Sequence, residues 1–331
     1  MQLTQKKSRR SAVLTAAAVA MLLAVMAALL YTGSLTRQVT NMLIPTAVYI
    51  VMAVSLNLVV GLLGELSLGH AGFMSVGLFS GCLVAIALTN TALPLMVRLP
   101  VSMLAGGLTA AVFGLLVGLP TLRLRGDYLA IVTLACGEII KNIITNLRVT
   151  GGALGLNTSA IYAGAKELLP YGAALVLLTV AVMLNLKRSK YGRAIMAIRD
   201  NRIAAESVGL SVTRYKLAVF VIAAFFAGCA GVLYGHSLAN IKAAAFDYNM
   251  SIEILVIVVL GGMGSVPGSV VSAIVLTVLP EALREVADYR MLVYAVVLIL
   301  VMQATNNPAM KRFFGAACKS LTPKRKERAA L

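Results

Sequence analysis

The sequence predicts an all-α fold, a polytopic bundle of about ten transmembrane helices, with eight to ten as the range. Three observations carry this. Of the 331 residues, 60% are hydrophobic and only 12% charged, with a mean hydropathy of +0.92, so the apolar surface is too large for one soluble core. Apolar runs of about 20 residues recur, and a helix of that length crosses the hydrocarbon layer. The cations gather in alternate connecting segments and are not spread evenly.

The first apolar run, Ala12–Tyr31, follows Lys6, Lys7, Arg9 and Arg10. A secretory signal peptide also starts basic and turns apolar, but its core is usually only ~7–15 residues with a small-residue cleavage site. The run here is longer and reads as an uncleaved first helix. Further spans are expected at 40–62, 68–89, 99–119, 128–146, 168–186, 217–237, 250–263, 266–283 and 291–306. The stretch 128–146 and the pair around the glycines at 261–268 are the candidates for partial or re-entrant segments.

Ten spans place both termini on one side, and the cations test that arrangement. The segments assigned inside hold four Lys/Arg at the N-terminus, two at Arg123 and Arg125, eight from Lys187 to Lys216 and seven from Lys311 onward, 21 of the 29. Cations flanking spans stay cytoplasmic. The expected topology is therefore N-in, C-in. A basic cytoplasmic N-terminus (1–11) precedes a transmembrane domain (12–306) with a cytoplasmic segment at 187–216, and a basic tail (307–331) follows.

A net charge of +17 would suggest nucleic acid for a soluble protein. Here the positive groups sit at membrane edges without interleaved aromatics, and the chain has no tryptophan. Membrane lipid and topology account for them, KRKER (Lys324–Arg328) included, and no nucleic-acid partner is expected. Cys82, Cys136, Cys229 and Cys318 are scattered, three of them within apolar spans, and read as small hydrophobes. His70 and His236 have no second ligand at metal-site spacing, so no metal is expected. No catalytic constellation or cofactor motif appears. Gly261-Gly262-Met263-Gly264-Ser265 lacks the Gly-Lys-Ser/Thr ending of a phosphate loop, so ATP should not bind here.

Two glycine-rich breaks interrupt the apolar pattern. The first, Gly61–Gly77, carries Glu65, Ser67, His70 and Gly72; the second, Gly261–Ser269, carries Gly262, Gly264 and Pro267. Backbone freed by such breaks must face protein or a wet cavity, never lipid. Paired breaks can mark a translocation site; close helix packing through small residues, as in Gly77/Gly81 and Gly114/Gly118, is the other reading, and the two coexist.

Charges within spans are costly and face partners or water. Glu138 shares a helix face with Lys141, as a structural ion pair or as pathway lining. Glu253 reads as an edge-solvated carboxylate, and His70 as a packed histidine more than a substrate ligand. Between two spans lies the polar island 191–216. Asp200 and Asn201 are good cap residues and Gly209 a natural terminator. The helix between them, Arg202 to Val208, has Ile195, Ile198, Ile203 and Val208 as apolar knobs among charges. It would either dock in a partner's groove or lie on anionic lipid.

The motifs SLNLVVGLLGELSLGHAGF (Ser55–Phe73), LRGDYLAIVTLACGEIIKNII (Leu124–Ile144), TGGALGL (Thr150–Leu156), Tyr191–Gly235 and Ser251–Ala273 resemble, in order, the integral permease subunits of branched-chain amino acid ABC importers. The ATNNPAMKRFF ending and Pro267 depart from the family's usual pattern. The resemblance implies an ABC-importer permease fold in the bacterial inner membrane. It implies as partners a second, related but different, permease subunit, two cytoplasmic ATP-binding subunits, and a periplasmic binding protein that delivers the amino acid. By the same resemblance Arg193, Ile198, Arg199, Asp200, Ala204, Ala205, Glu206 and Gly209 form the ATPase-coupling segment. Ser67, His70, Gly72, Thr133, Glu138, Gly262 and Gly264 are its candidates near the pathway. Relatives also carry urea or short amides. An autonomous secondary transporter would have no need of the island.

The isolated chain is accordingly expected neither to bind nor to hydrolyse ATP. Hydrolysis by the purified subunit, abolished by a substitution within this chain, would overturn the assignment.

Overall fold

The computed structural model describes residues 36–89, 94–124 and 126–282, with shorter stretches at 17–21 and 24–28 and single positions at 30, 32, 296 and 299. The chain divides after Val278, and the account below concerns the unit that ends there together with the last turn of the helix that crosses the division.

Seven helices in the described residues are long and apolar enough to cross a membrane, which makes this a multi-pass membrane protein. They match seven of the expected spans. The helices run past the apolar limits because their polar ends, Arg98 and Arg188 among them, keep helical backbone. The span expected at 266–283 is a shorter apolar helix, Val266–Pro280. Of the first expected span only part is described, a helical stretch within Ala17–Ala28. The last span (but for 296 and 299), the C-terminal tail with Cys318, and Arg125 lie outside the described residues.

Helix α1 (Arg37–Asn57) is the bundle's central helix, apolar all round and buried all round, with Val51, Met52, Ala53 and Leu56 fully inaccessible. It continues into a π-helical turn, Leu58–Leu63, which ends at Gly64 with φ 78°. Helices α2 (His70–Thr89), α3 (Leu95–Thr121) and α4 (Asp127–Asn146) follow. Next come α5 (Ala165–Arg188) and two short helices, α6 (Lys190–Asp200) and α7 (Arg202–Ser207). The long α8 (Val212–His236) then leads to the pair α9 (Tyr248–Gly261) and α10 (Val266–Ala282). Stretch 128–146 is thus a full helix, whereas the pair at 250–283 is two shorter ones.

Small residues bring α2, α3 and α8 together. A side chain at Gly77 would collide with the backbone of Gly228, and one at Gly228 would meet the Gly106 carbonyl at 2.6 Å and Ala110 at 2.5 Å. Further along, Gly114 faces Ala224. Lipid tails are as apolar as leucine, so helices associate in a membrane through such close contacts and not through a hydrophobic drive. The glycines expected to pack do so. Phe73 and Phe220 close the seam edge to face, their centroids 5.3 Å apart.

At the end of the bundle away from α6 and α7, the loops before α5 and after α8 pair as a minimal antiparallel ribbon. Its strands are β1 (Leu156–Asn157) and β2 (Asn240–Ile241), in register Leu156↔Ile241. The Thr158 amide donates to Ala239 O at 2.9 Å and the Ala163 amide to His236 O at 3.0 Å, so both loops are tied down.

Gly228→Leu should overpack the α2–α3–α8 seam. A loss of roughly 1–3 kcal/mol is typical of overpacked cores, visible as a lowered thermal midpoint in detergent; an unchanged midpoint would refute the packing role.

Candidate functional site

The two glycine-rich breaks, far apart in sequence, meet at Asn57. Its side chain is wholly buried, 0% exposed. Oδ1 accepts from the Gly264 amide at 2.7 Å, while Nδ2 donates to Ser265 O at 3.1 Å and Ser269 Oγ at 2.8 Å. One amide side chain thereby satisfies backbone groups that the turn between α9 and α10 leaves unpaired, at a depth where unpaired groups are costly. Gly61 permits this approach: a side chain there would collide with Asn57 and Gly264. Gly262 and Gly264 have φ of 87° and 80°, a left-handed backbone that glycine adopts without strain.

The non-helical stretch after Gly64 is satisfied from α4 and α9. The Leu68 amide donates to Thr133 Oγ at 3.0 Å, and the Ala71 amide to Ser251 Oγ at 3.2 Å. Side chains at Gly69 and Gly72 would press on the backbone of Thr133 and Gly137. His70 Nε2 and Ser55 Oγ lie 2.8 Å apart, and Ser67 Oγ is buried with no hydrogen-bond partner. Ser67, His70, Gly72 and Thr133 thus gather on one break, with Gly262 and Gly264 joined to it through Asn57.

Glu138 stands apart from them. It pairs with Lys141, as the spacing allows, and its Oε1 also accepts from the Tyr248 amide at 2.9 Å, tying α4 to the start of α9. The length of α9 separates it from Gly262. Glu253 is not merely edge-solvated as expected: it is half-buried and accepts a hydrogen bond from the Tyr49 hydroxyl at 3.3 Å.

The polar island folds as two capped helices. Ser189 Oγ accepts from the Gly192 amide at 3.0 Å to start α6, and Asn201 Oδ1 accepts from the Ala204 amide at 3.0 Å to start α7. Asp200, expected as a cap, pairs instead with Arg199 at 3.0 Å. Gly209 ends α7 with φ 86°, its amide bonded to Glu206 O at 3.0 Å. Of the four apolar knobs, Ile195 and Ile198 turn inward, where Ile198 packs with Ala205 and Val212; they lie three apart on the inner face of α6. Ile203 and Val208 face out, 80% and 81% exposed. Arg202 and Glu206 pair along α7 at 2.8 Å.

Three cations fasten this island to the breaks. Arg199 Nη1 donates to Gly61 O at 3.1 Å, and Lys187 Nζ to Gly264 O at 2.7 Å. Lys216 pairs with Glu65, with side chains only 5% and 13% exposed. Asn57, Ser251, Lys187 and the Glu65–Lys216 pairing were not singled out from sequence. A lone amide in an apolar span was the available signal for Asn57, since a buried amide needs partners.

A family described as branched-chain amino acid transport system, permease component, matches residues 38–302. The chain is 36% identical over 296 residues to the high-affinity branched-chain amino acid transport system permease protein LivM of Salmonella typhimurium, covering 78% of this chain and 66% of that protein. Against LivM of Escherichia coli it is 37% identical over 290 residues, with the same coverage. The permease protein LivH of Salmonella typhimurium is 31% identical over 126 residues, 37% of this chain and 40% of LivH. The chain thus spans just under two thirds of the LivM proteins it matches. No solved structure matches.

Asn57→Leu keeps the volume but strands the Gly264 amide and Ser265 carbonyl. Each buried group left unpaired costs roughly 1–3 kcal/mol. Amide exchange at Gly264 should quicken and the thermal midpoint fall; unchanged exchange there would remove Asn57 from this role.

Proposed function

We propose, on the premise that this chain belongs to the family of branched-chain amino acid transport system permease components, that it is a membrane-spanning subunit of an ATP-driven importer. It forms, with a second and different permease chain, the pathway for branched-chain amino acids delivered by a periplasmic binding protein. Two cytoplasmic ATP-binding subunits drive it, and the bacterial inner membrane holds it. The two permease names among its relatives, LivM and LivH, support an assembly with two kinds of permease chain. The cations from Lys187 to Lys216, with Arg123, favour the cytoplasm for the island end.

The observation that carries this reading is the island's attachment. An idle helix lying on lipid would need no bonds to the breaks. This one is held to Gly61 by Arg199, to Gly264 by Lys187 and to Glu65 by Lys216, while Ile203 and Val208 stay exposed. A partner gripping α7 through those two side chains moves both breaks with it. Arg193–Gly209 is accordingly the coupling segment, a helix-in-groove contact. The region of Ser67, Thr133, Gly262 and Gly264 is the part of the pathway it moves.

Gly209→Val and Glu206→Lys test the coupling. At Gly209 there is open space for a side chain, so valine acts through the backbone alone, by disfavouring φ 86°. At Glu206 the exposed pair with Arg202 contributes only ~0.3–0.5 kcal/mol, so reversal leaves the fold intact. Both variants should insert at wild-type levels, lose the ATPase subunits on purification, and lose substrate-stimulated hydrolysis together with uptake. Co-purification at full stoichiometry with full coupling in both would sink the reading.

A further inference from the structure

At the ribbon end of the bundle, between α1, α8 and α9, a cavity is lined by Tyr49, Tyr234, Phe246, Asn249, Met250 and Glu253. From it we infer that Glu253 receives the ammonium group of the transported amino acid as it enters the permease, an inference that rests on the importer reading above.

Two carboxylates border the cavity, and only one of them is free to act. Asp247 is consumed in capping α9: Oδ1 accepts from the Met250 amide at 3.2 Å and Oδ2 from the Asn249 side chain at 2.7 Å. Glu253, one turn further along α9, accepts only the Tyr49 hydroxyl, on Oε2 at 3.3 Å. Among the described residues no lysine, arginine or histidine forms an ion pair with it. A carboxylate half-withdrawn from water within a spanning segment is costly and calls for a partner.

The cavity's chemistry selects that partner. A hard metal ion would need more oxygen ligands than one available carboxylate supplies. No group of three His, Cys, Asp or Glu able to hold a metal occurs among the described residues. A primary ammonium needs less: one carboxylate, a neighbouring neutral polar group such as the Asn249 amide, and aromatic faces. Tyr234 and Phe246, edge to face at 6.4 Å, supply the faces beside Tyr49. Phe246 and Met250 provide apolar wall for a branched side chain. The remaining geometry fits an entrance, because the cavity lies at one end of α9 and the Asn57 junction at the other.

The test uses the complete complex in proteoliposomes with its binding protein and ATPases. Leucine uptake should show a Vmax at least roughly tenfold lower for Glu253→Gln, since a charge-assisted contact to the moving substrate is lost. Glu253→Asp should recover part of it, and KM for the loaded binding protein should stay within about twofold. On the wild-type complex, external 3-methylbutylammonium should slow leucine uptake while neutral 3-methylbutanol does not. Wild-type Vmax in Glu253→Gln, or equal effects of the amine and the alcohol, would overturn the assignment and leave the importer reading standing. If the wild-type complex shows no ATP-dependent uptake of any amino acid, that reading fails and the inference falls with it.

Discussion

Helical backbone that breaks inside a membrane must find hydrogen-bond partners within the protein, and everything distinctive here follows from how that demand is met. The chain breaks after Leu63 and again after Gly261, and a single buried amide, Asn57, serves the second break from just before the first. Thr133 and Ser251 serve the backbone that follows Gly64. The breaks are therefore one structural unit, although 207 positions separate Asn57 from Gly264. Because such unpaired groups are unaffordable in hydrocarbon, one break cannot shift far unless the other follows.

The same unit explains the distribution of charge. Most cations of the island could have stayed in water, yet Arg199 and Lys187 reach carbonyls at the two breaks and Lys216 pairs with Glu65 almost out of solvent. Removing one partner from a pair that buried is expensive, since the other charge is left stranded. The island is in consequence a rigid attachment to the bundle, and its outward face is left to α7 with two exposed aliphatic side chains. The small-residue seam of α2, α3 and α8 behaves differently. It is held by shape alone and offers a firm wall against which the broken helices are positioned.

Much of the fold was legible from hydropathy, because an apolar run of the right length has little choice in a bilayer. The island's capping could also be read, through Asn201 and Gly209, since those residues act locally. The partner of Glu138 on its own helix followed from the three-residue spacing, but its bond to the Tyr248 amide did not, as nothing local announces a contact over 110 positions. Asn57 was hidden for the same reason. Ile195 and Ile198 were misjudged because a short stretch of charged helix does not reveal which face meets the bundle. Glu253 carries no sequence sign that a tyrosine from α1 would find it. What escaped was consistently the long-range pairing of single polar groups.

The π-helical turn at Leu58–Leu63 has a quieter consequence. A π turn accommodates one more residue than an α turn, so it acts as a phase shift written into α1. Loss of one residue there would let the chain relax to ordinary winding and would rotate all that follows by about 100°, the step of a single helical residue. Gly61 would swing from Arg199, and Glu65 from Lys216. Within this segment length is a stricter inheritance than composition: leucine and valine are interchangeable fillers, but the number of them is an index that keeps two distant parts of the machine in time.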